Sequence, residues 1–198
     1  MNCPRALTIA LLLCLLVQSR SAQDAPLPAG VTEPKRVLDV IFVPTPQRVV
    51  EKMLELAQVS KDDIVYDLGC GDGRIVVTAA KKFGCRAVGF DIDPERLRES
   101  NENVARNRVD GLVQIKDQDI FSLDLARASV VTMYLLPDLN KRLLPQLERL
   151  KPGSRIVSHA FPIPGVVADK SEQVTNGSGR GSTVYLYTIP LKKAAEIN

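Results

Sequence analysis

The stretch V-Y-D-L-G-C-G-D-G-R-I, from Val65 to Ile75, decides the fold of this chain. Apolar residues that run into Asp67 indicate the end of a buried strand, and an apolar helix pattern begins at Ile75. Three glycines stand between strand and helix: Gly69, Gly71 and Gly73. Glycine permits positive φ and a close approach to a ligand, because no Cβ is in the way. The stretch therefore predicts a nucleotide cradle.

The spacing of these glycines indicates which nucleotide is bound. The pattern is G-x-G-x-G, and Arg74 stands where the dinucleotide fingerprint G-x-G-x-x-G needs its third glycine. A nicotinamide cofactor is therefore disfavoured. With Asp67 as the acid before the turn, the pattern resembles the first motif of class I S-adenosylmethionine-dependent methyltransferases.

Two further acids follow predicted strands. Strand two, Ala87–Phe90, ends at Asp91, about twenty residues past the turn, where a carboxylate can accept both ribose hydroxyls of a nucleoside. The following helix has its own N-cap at Asp93, so Asp91 is not needed for capping. After strand three, Asp119 occupies the usual place of an acid that binds an adenine amino group, and Asp117 competes for that role.

The alternation of strands and helices predicts an α/β protein with a Rossmann-like class I methyltransferase fold. We expect a mostly parallel seven-stranded sheet, a C-terminal antiparallel hairpin, and helices on both faces. The remaining predicted strands are Ile64–Leu68, Leu112–Ile115, Ser129–Leu136, Arg155–Ser158, Glu172–Thr175 and Thr183–Ile189. Between Arg155–Ser158 and the hairpin, Phe161–Gly165 replaces the helix that commonly follows in this position.

A helix is predicted to open at Thr45-Pro46, because threonine is a good N-cap and proline suits the first helical position. Phe42-Val43-Pro44 just before it is expected to pack on, or cover, whatever follows. The sole histidine of the sequence, His159, comes at the end of a strand. A catalytic role and a structural hydrogen-bonding role for it carry comparable weight.

The chain of 198 residues has 45% hydrophobic and 25% charged residues, which suits one soluble α/β domain. The net charge of +3 and the absence of a basic run interleaved with aromatics do not indicate a nucleic-acid surface. One histidine and scattered thiols make no zinc site, so no metal is expected. Cys70 and Cys85 are predicted to be free thiols, because they lie at opposite ends of neighbouring parallel strands.

The N-terminal segment predicts export. Arg5 precedes a twelve-residue apolar run, Ala6–Val17. Small residues follow at Ser19, Ser21 and Ala22, and Ser19 with Ser21 best satisfies the small-x-small cleavage pattern. The run is shorter than the about 20 residues that span a bilayer, so no stable membrane span is expected in the mature chain. We predict a signal peptide at 1–22, a linker at 23–36 and a methyltransferase domain at 37–198, and an uncleaved tether is the alternative.

Three motifs narrow the resemblance: F-V-P-T-P-Q at Phe42–Gln47, the long first motif at Asp67–Val76, and S-H-A-F-P-I-P at Ser158–Pro164. They resemble the small lysine methyltransferases that modify the c-ring protein of ATP synthase and the adenine nucleotide translocase. The resemblance implies S-adenosylmethionine as cofactor, a protein acceptor, and a Phe42–Thr45 segment that closes over the cofactor. An export signal departs from those relatives.

The cofactor is expected to contact Thr45, Asp67, Gly69, Cys70, Gly71, Asp91, Ile92, Asp119 and Ile120. The residues expected around the acceptor are Tyr134, Asp138, His159 and Phe161. Two alternatives stay open: a small-molecule methyltransferase, and an exported binding module that keeps the fold without catalysis. The sequence does not predict an oligomeric state.

Overall fold

Short apolar runs form the central strands of this protein in a computed structural model, which describes residues 42–175 and 181–194. These residues belong to the unit Arg36–Asn198. The strands are β1 Ile64–Leu68, β2 Arg86–Asp91, β3 Val113–Asp117, β4 Val130–Met133, β5 Arg155–His159, β6 Val166–Val167, β7 Lys170–Thr175, β8 Gly181–Thr188 and β9 Lys192–Lys193. The helices are α1 Gln47–Leu56, α2 Arg74–Phe83, α3 Pro94–Asn107 and α4 Pro137–Leu147.

The main sheet has seven strands in the order β3-β2-β1-β4-β5-β8-β7. The five strands from β3 to β5 run parallel, while β8 pairs antiparallel with both β5 and β7. β6 and β9, which the sequence did not predict, form a separate two-stranded sheet. The order reverses beside β1, and such a switch point is where open α/β sheets bind ligands, at the carboxyl ends of the strands.

Two apolar cores cover the two faces of the sheet. One contains the buried sides of α1, α2 and α3, and the other contains α4. Neighbouring residues of one strand alternate between them: Val65 belongs to the first core and Tyr66 to the second. Burial on both faces explains why the central strands are nearly continuous apolar runs. The predicted Rossmann-like class I fold, with helices on both faces, is confirmed.

The start of α1 corrects one prediction. The helix begins at Gln47, Pro46 takes the N-cap position, and no side chain caps the helix. Thr45 is therefore not the N-cap. Its hydroxyl lies 3.3 Å from Nδ1 of His159, so a contact with a distant part of the chain replaces the local cap.

The fourth strand is shorter than predicted. β4 ends at Met133, which pairs with Leu68 at the end of β1. The prediction ran on to Leu136 because those residues are apolar, but Leu135 and Leu136 line a cavity instead of extending the ladder. The apolar side chains here form part of a cavity wall.

The cysteine prediction is confirmed, since Cys70 and Cys85 are both free and buried. The register pairs Ile64 with Arg86 and Leu68 with Phe90, which places the two thiols beyond opposite ends of the β1–β2 pair. The predicted hairpin is also present as β7 and β8, although its tip, 176–180, lies outside the described residues. The predicted signal peptide and linker lie outside them as well.

Candidate active site

A cavity of about 990 Å³ opens at the carboxyl ends of the parallel strands. Its wall combines the turn after β1, the ends of β2 and β4, the segment before α1, and the loop after β5. Predicted site residues in this wall are Thr45, Asp67, Gly69, Cys70, Asp91, Ile92, Asp119, Ile120, Tyr134 and Phe161. The structure thus brings together residues that lie up to 116 positions apart, from Thr45 to Phe161.

The glycine turn is held against the neighbouring strand by its own backbone. The amides of Gly69 and Cys70 both donate to the carbonyl of Phe90, at 2.9 Å each. Gly71 has φ of +54°, and a Cβ added there would lie 2.0 Å from a ring carbon of Phe42. Glycine is therefore required at this position by both backbone conformation and space.

Asp91 is fixed by three backbone amides. One carboxylate oxygen accepts from the amide of Gly71 at 2.8 Å, and the other accepts from Ile92 at 2.8 Å and Asp93 at 3.0 Å. A carboxylate oxygen can accept two hydrogen bonds, so the oxygen that bonds Gly71 keeps one acceptor site for a ligand hydroxyl. The predicted N-cap at Asp93 is confirmed, since its side chain accepts from the amide of Glu95.

Asp67 is the most deeply buried acid of the cavity, with 2% of its surface exposed. Its Oδ1 accepts from the hydroxyl of Thr132 at 2.7 Å, while its Oδ2 has no partner. Burial, and to a smaller extent the negative charge of Asp91 and Asp72, raises the pKa of Asp67 to about 7. A buried carboxylate oxygen without a partner suits a ligand ammonium group.

The opposite end of the cavity is formed by the chain after β3. Asp119 accepts from the amide of Phe121 at 2.9 Å and starts a short 3₁₀ turn, Ile120–Ser122. Gln146 on α4 secures this turn by donating to the carbonyls of Ile120 at 3.2 Å and Leu123 at 2.9 Å. Asp117, the alternative acid, is the last residue of β3 and is not among the residues of the cavity wall.

An aromatic cluster stands beside the ends of β4 and β5. The ring centre of Tyr134 lies 4.0 Å from that of His159 and 6.3 Å from that of Phe161. The carbonyl of Phe161 accepts from the hydroxyl of Ser158 at 2.5 Å and from the amide nitrogen of Asn140 at 3.3 Å. These bonds fix the loop that presents Phe161 to the cavity.

His159 lies behind this cluster and is not part of the cavity wall. It is buried, and burial lowers its pKa to about 4, so the ring is neutral at physiological pH. Its Nδ1 faces Thr45, and its Nε2 has no partner. Asp138 is exposed in the first turn of α4 and also lies outside the wall.

Sequence reasoning missed several residues that shape the site. Thr132 holds Asp67, Gln146 holds the 3₁₀ turn, and Arg96 packs on Phe42. A hydroxyl in an apolar strand was a signal for Thr132, because a buried polar group needs a partner. Neither Gln146 nor Arg96 had a local signal, since both are polar residues on amphipathic helices.

Within residues 42–175 and 181–194, no group of three or more histidines, cysteines or acids could hold a metal ion. None of the helices in the same ranges is long and apolar enough to cross a membrane.

The arrangement fits S-adenosylmethionine: the orphan oxygen of Asp67 suits its ammonium group, Asp91 its ribose, and the Asp119–Ile120 end its adenine. The fold and this edge of the sheet together define a class I S-adenosylmethionine-dependent methyltransferase.

Comparison with known proteins identifies the family. Residues 67–170 match the model of the ANTKMT methyltransferase domain. A protein-lysine N-methyltransferase from Saccharolobus islandicus is 51% identical over 152 residues, covering 76% of this chain and 94% of the relative. The chain belongs to the family of the ANTKMT methyltransferase domain and is an S-adenosylmethionine-dependent methyltransferase. The predicted resemblance and cofactor are thereby confirmed.

Two other similar proteins differ in their acceptors. An adenine nucleotide translocase lysine N-methyltransferase from Mus musculus is 31% identical over 168 residues, and the match covers 80% of this chain and 72% of that relative. The crystal structure of an RNA methyltransferase from Salinibacter ruber in complex with S-adenosyl-L-homocysteine has 46% identity and a TM-score of 0.69. That match covers 75% of this chain and 94% of the Salinibacter chain.

Proposed function

We propose that this enzyme transfers the methyl group of S-adenosylmethionine to the side-chain nitrogen of a lysine in a protein. The observation that carries the proposal is the wall beside the ends of β4 and β5. It is built from the rings of Tyr134 and Phe161 and from apolar Leu136, with the neutral His159 behind them. This part of the wall suits an uncharged amine on an alkyl chain.

The charge of lysine is the main chemical obstacle. A free lysine has a pKa of about 10.4 and is protonated at neutral pH, and an ammonium group cannot attack a methyl group. An apolar, aromatic wall disfavours the charged form, so a lysine releases its proton to solvent more readily as it enters the wall. Tyr134 and Phe161 therefore have two roles in the proposal: they desolvate the amine, and they direct its alkyl chain.

When bound, the cofactor supplies an electrophilic methyl group on a positively charged sulfur. The amine nitrogen forms the new bond to carbon while the sulfur keeps the electron pair of the old bond, so the positive charge passes to the methylated amine. Asp67, Asp91 and Asp119 would hold the amino acid, ribose and adenine ends of the cofactor and would thereby set the position of its sulfur. Such alignment supplies much of the rate of a displacement of this kind.

We assign the remaining predicted residues on the same basis. Gly69, Cys70 and Gly71 shape the turn, and Thr45, Ile92 and Ile120 complete the cofactor wall or its support. His159 supports Thr45 and Tyr134 from behind. Asp138 stands farther out and would contact the acceptor protein at the surface of α4.

A protein acceptor is supported by the relative that is 51% identical and named as a protein-lysine N-methyltransferase. The Salinibacter chain, named as an RNA methyltransferase, makes RNA the second candidate. RNA binding needs cations that are available to phosphates. Among the described residues, the cavity wall has two cationic side chains, Arg74 and Arg96, and both pair with acids: Asp72 and Glu99 respectively. This pairing favours protein over RNA.

Labelling with isotopic S-adenosylmethionine in an extract of the source cells tests the acceptor. We expect the label in the macromolecular fraction to be removed by protease and retained after ribonuclease treatment, and acid hydrolysis to yield ε-N-methylated lysine. Asp91→Asn is the matched inactive control. Label that is lost to ribonuclease would support RNA, and label that passes an ultrafiltration membrane would support a small molecule.

We further propose that residues 1–22 direct export, with cleavage beside the small residues Ser21 and Ala22. The support is the apolar run after Arg5 and the small residues that follow it. N-terminal sequencing of the chain recovered from separated cell fractions tests this proposal. A chain that starts near Gln23 outside the cytoplasm is expected, whereas an intact start in the membrane fraction would support a tether.

A further inference from the structure

The segment Phe42–Thr45, which we call the strap, has anchored ends and an exposed middle. Its first residue contacts the glycine turn, since a Cβ on Gly71 would lie 2.0 Å from the Phe42 ring. Its last residue, Thr45, is buried, whereas 56% of the surface of Val43 is exposed. Phe42, Val43 and Thr45 all belong to the wall that also contains the cofactor acids.

Arg96 on α3 holds the first end of the strap. Its guanidinium carbon lies 4.8 Å from the ring centre of Phe42, which is a cation–π distance. Only 15% of the Arg96 side chain is exposed, and it pairs with Glu99 at 2.7 Å and Glu95 at 3.0 Å. The acids fix the guanidinium, so the position of the ring is set by α3 as well as by the turn.

Arg74, the first residue of α2, holds the other end. It donates to the carbonyl of Thr45 at 2.8 Å, and its other nitrogens bond both carboxylate oxygens of Asp72. Arg74 stands where a dinucleotide fingerprint would have its third glycine, and here its side chain binds the strap. The hydroxyl of Thr45 adds a third contact through His159.

We propose that Arg74 and Arg96 are positioning residues that hold the strap closed on the cradle and thereby set how long the cofactor and its product stay bound. The two arginines anchor opposite ends of one short segment, so loss of either frees that segment at one end. The proposal depends on the S-adenosylmethionine-dependent activity of the family and not on the identity of the methyl acceptor.

A double-mutant cycle in the full chain tests the first anchor. We expect Arg96→Met and Phe42→Leu each to raise the dissociation rate of S-adenosylhomocysteine about fivefold, measured by stopped-flow displacement. The double variant should release it no faster than the faster single variant, because both changes remove one contact. Arg98→Met is the matched control, since Arg98 lies on the same helix, is 59% exposed, and pairs with Glu102 away from the strap.

Arg74 is tested by two substitutions. Arg74→Met should speed release about as much as the loss of Arg96 does, and Arg74→Lys should restore part of the retention because lysine can still donate to the Thr45 carbonyl. Thermal unfolding of each ligand-free variant separates loss of the strap from loss of the fold. At saturating cofactor, the maximal turnover should fall less than the affinity.

Release rates equal to that of Arg98→Met in both arginine variants would overturn the proposal. Multiplicative effects in the Phe42 and Arg96 cycle would also overturn it, because they would mean that the two residues act separately. A wild-type chain that binds S-adenosylhomocysteine but labels no lysine refutes the acceptor assignment and leaves the strap intact.

Discussion

The two ends of the active site are built on different principles. At the cofactor end, acids at strand ends bond to backbone amides or to a neighbouring hydroxyl, as Asp91 and Asp67 do. At the acceptor end, the wall consists of rings and apolar side chains, with Tyr134 against His159 and Phe161 nearby. In the proposed assignment, one end recognises the cofactor through directed polar contacts, and the other selects the acceptor through shape and desolvation.

This difference predicts how each end responds to substitution. Directed contacts to a charged or hydroxylated ligand fail when a single atom changes, because a buried polar group is left without its partner. An aromatic wall loses a part of its effect at each substitution. Changes at the cofactor end should therefore alter binding strongly, whereas changes at the acceptor end should alter turnover moderately.

The largest effect is expected for Asp91→Asn. The amide keeps one acceptor oxygen, so it cannot serve the backbone amides of Gly71 and Ile92 and the ribose hydroxyls together. We expect S-adenosylhomocysteine to bind at least about 100-fold more weakly by calorimetry. Asp110→Asn, at an exposed acid outside the cavity wall, is the control. Affinity within threefold of wild type would show that Asp91 does not hold the ligand.

Gly71→Ala comes next, because the added Cβ meets the Phe42 ring and the backbone has φ of +54°. We expect affinity for S-adenosylhomocysteine to fall about thirtyfold, from strain together with displacement of the strap. Gly84→Ala separates the two causes, since Gly84 has φ of +68° but nothing within 4 Å of an added Cβ. If Gly84→Ala lost as much stability and as much affinity as Gly71→Ala, crowding at Gly71 would be contradicted.

Cofactor affinity should depend on pH through Asp67, whose pKa is raised to about 7. The ammonium group of the ligand needs the ionised carboxylate, so affinity should rise to a plateau above pH 7. Below pH 7 it should fall by up to about tenfold per pH unit. Asp67→Asn should weaken binding and flatten this profile. A wild-type profile that is flat between pH 5.5 and 8, as measured by calorimetry, would contradict this role.

The raised pKa of Asp67 also predicts how the free energy of unfolding of the ligand-free protein depends on pH. The folded pKa of Asp67 lies above its ordinary value of 3.8, so the folded state holds this proton more tightly than the unfolded state does. Asp67 therefore lowers the free energy of unfolding progressively between pH 4 and 7, and the full loss persists above pH 7. In urea unfolding, the free energy of unfolding of Asp67→Asn relative to wild type should be higher at pH 8 than at pH 4. A difference that is higher at pH 4 would contradict the burial of the charge.

The smallest effect is expected at the acceptor end. Tyr134→Phe keeps the ring against His159 and loses the hydroxyl, so affinity for S-adenosylhomocysteine should stay within twofold of wild type. Methyl transfer should slow about fivefold, because the variant loses a hydroxyl that can accept a hydrogen bond from the incoming amine. Tyr185→Phe, on β8 and outside the cavity wall, serves as the control. If Tyr134→Phe changed the affinity for S-adenosylhomocysteine more than the rate of methyl transfer, the proposed difference between the cofactor end and the acceptor end would be contradicted.

The cofactor end was largely predictable from sequence because its signals are local. The predicted bounds of β1 match the structure, and Asp67 and Asp91 stand at strand ends beside the glycine turn. The acceptor end depends on contacts between distant parts of the chain. Tyr134 after β4 packs on His159 at the end of β5, and His159 in turn contacts Thr45, 114 positions away. No local pattern indicates such partners.

The strap shows the same limit. Its residues were expected to cover the site. The arginines that anchor it lie on α2 and α3, and nothing in the sequence distinguishes them as partners of the strap from arginines on a solvated surface. Leu135 and Leu136 misled in the opposite way, because their apolar character extended the predicted strand although it serves the cavity. Local composition does not distinguish a residue that packs in a core from one that packs on a ligand.

Calorimetric titration of the full chain with S-adenosylmethionine, and in parallel with a nicotinamide dinucleotide, tests the central claim most directly. The edge of the sheet that carries Asp67 and Asp91 should bind one S-adenosylmethionine per chain and give no saturable heat with the dinucleotide. Binding should also raise the apparent stability, by about 2.7 kcal/mol at a hundredfold excess over Kd. Saturable binding of the dinucleotide, or no binding of S-adenosylmethionine, would contradict the account.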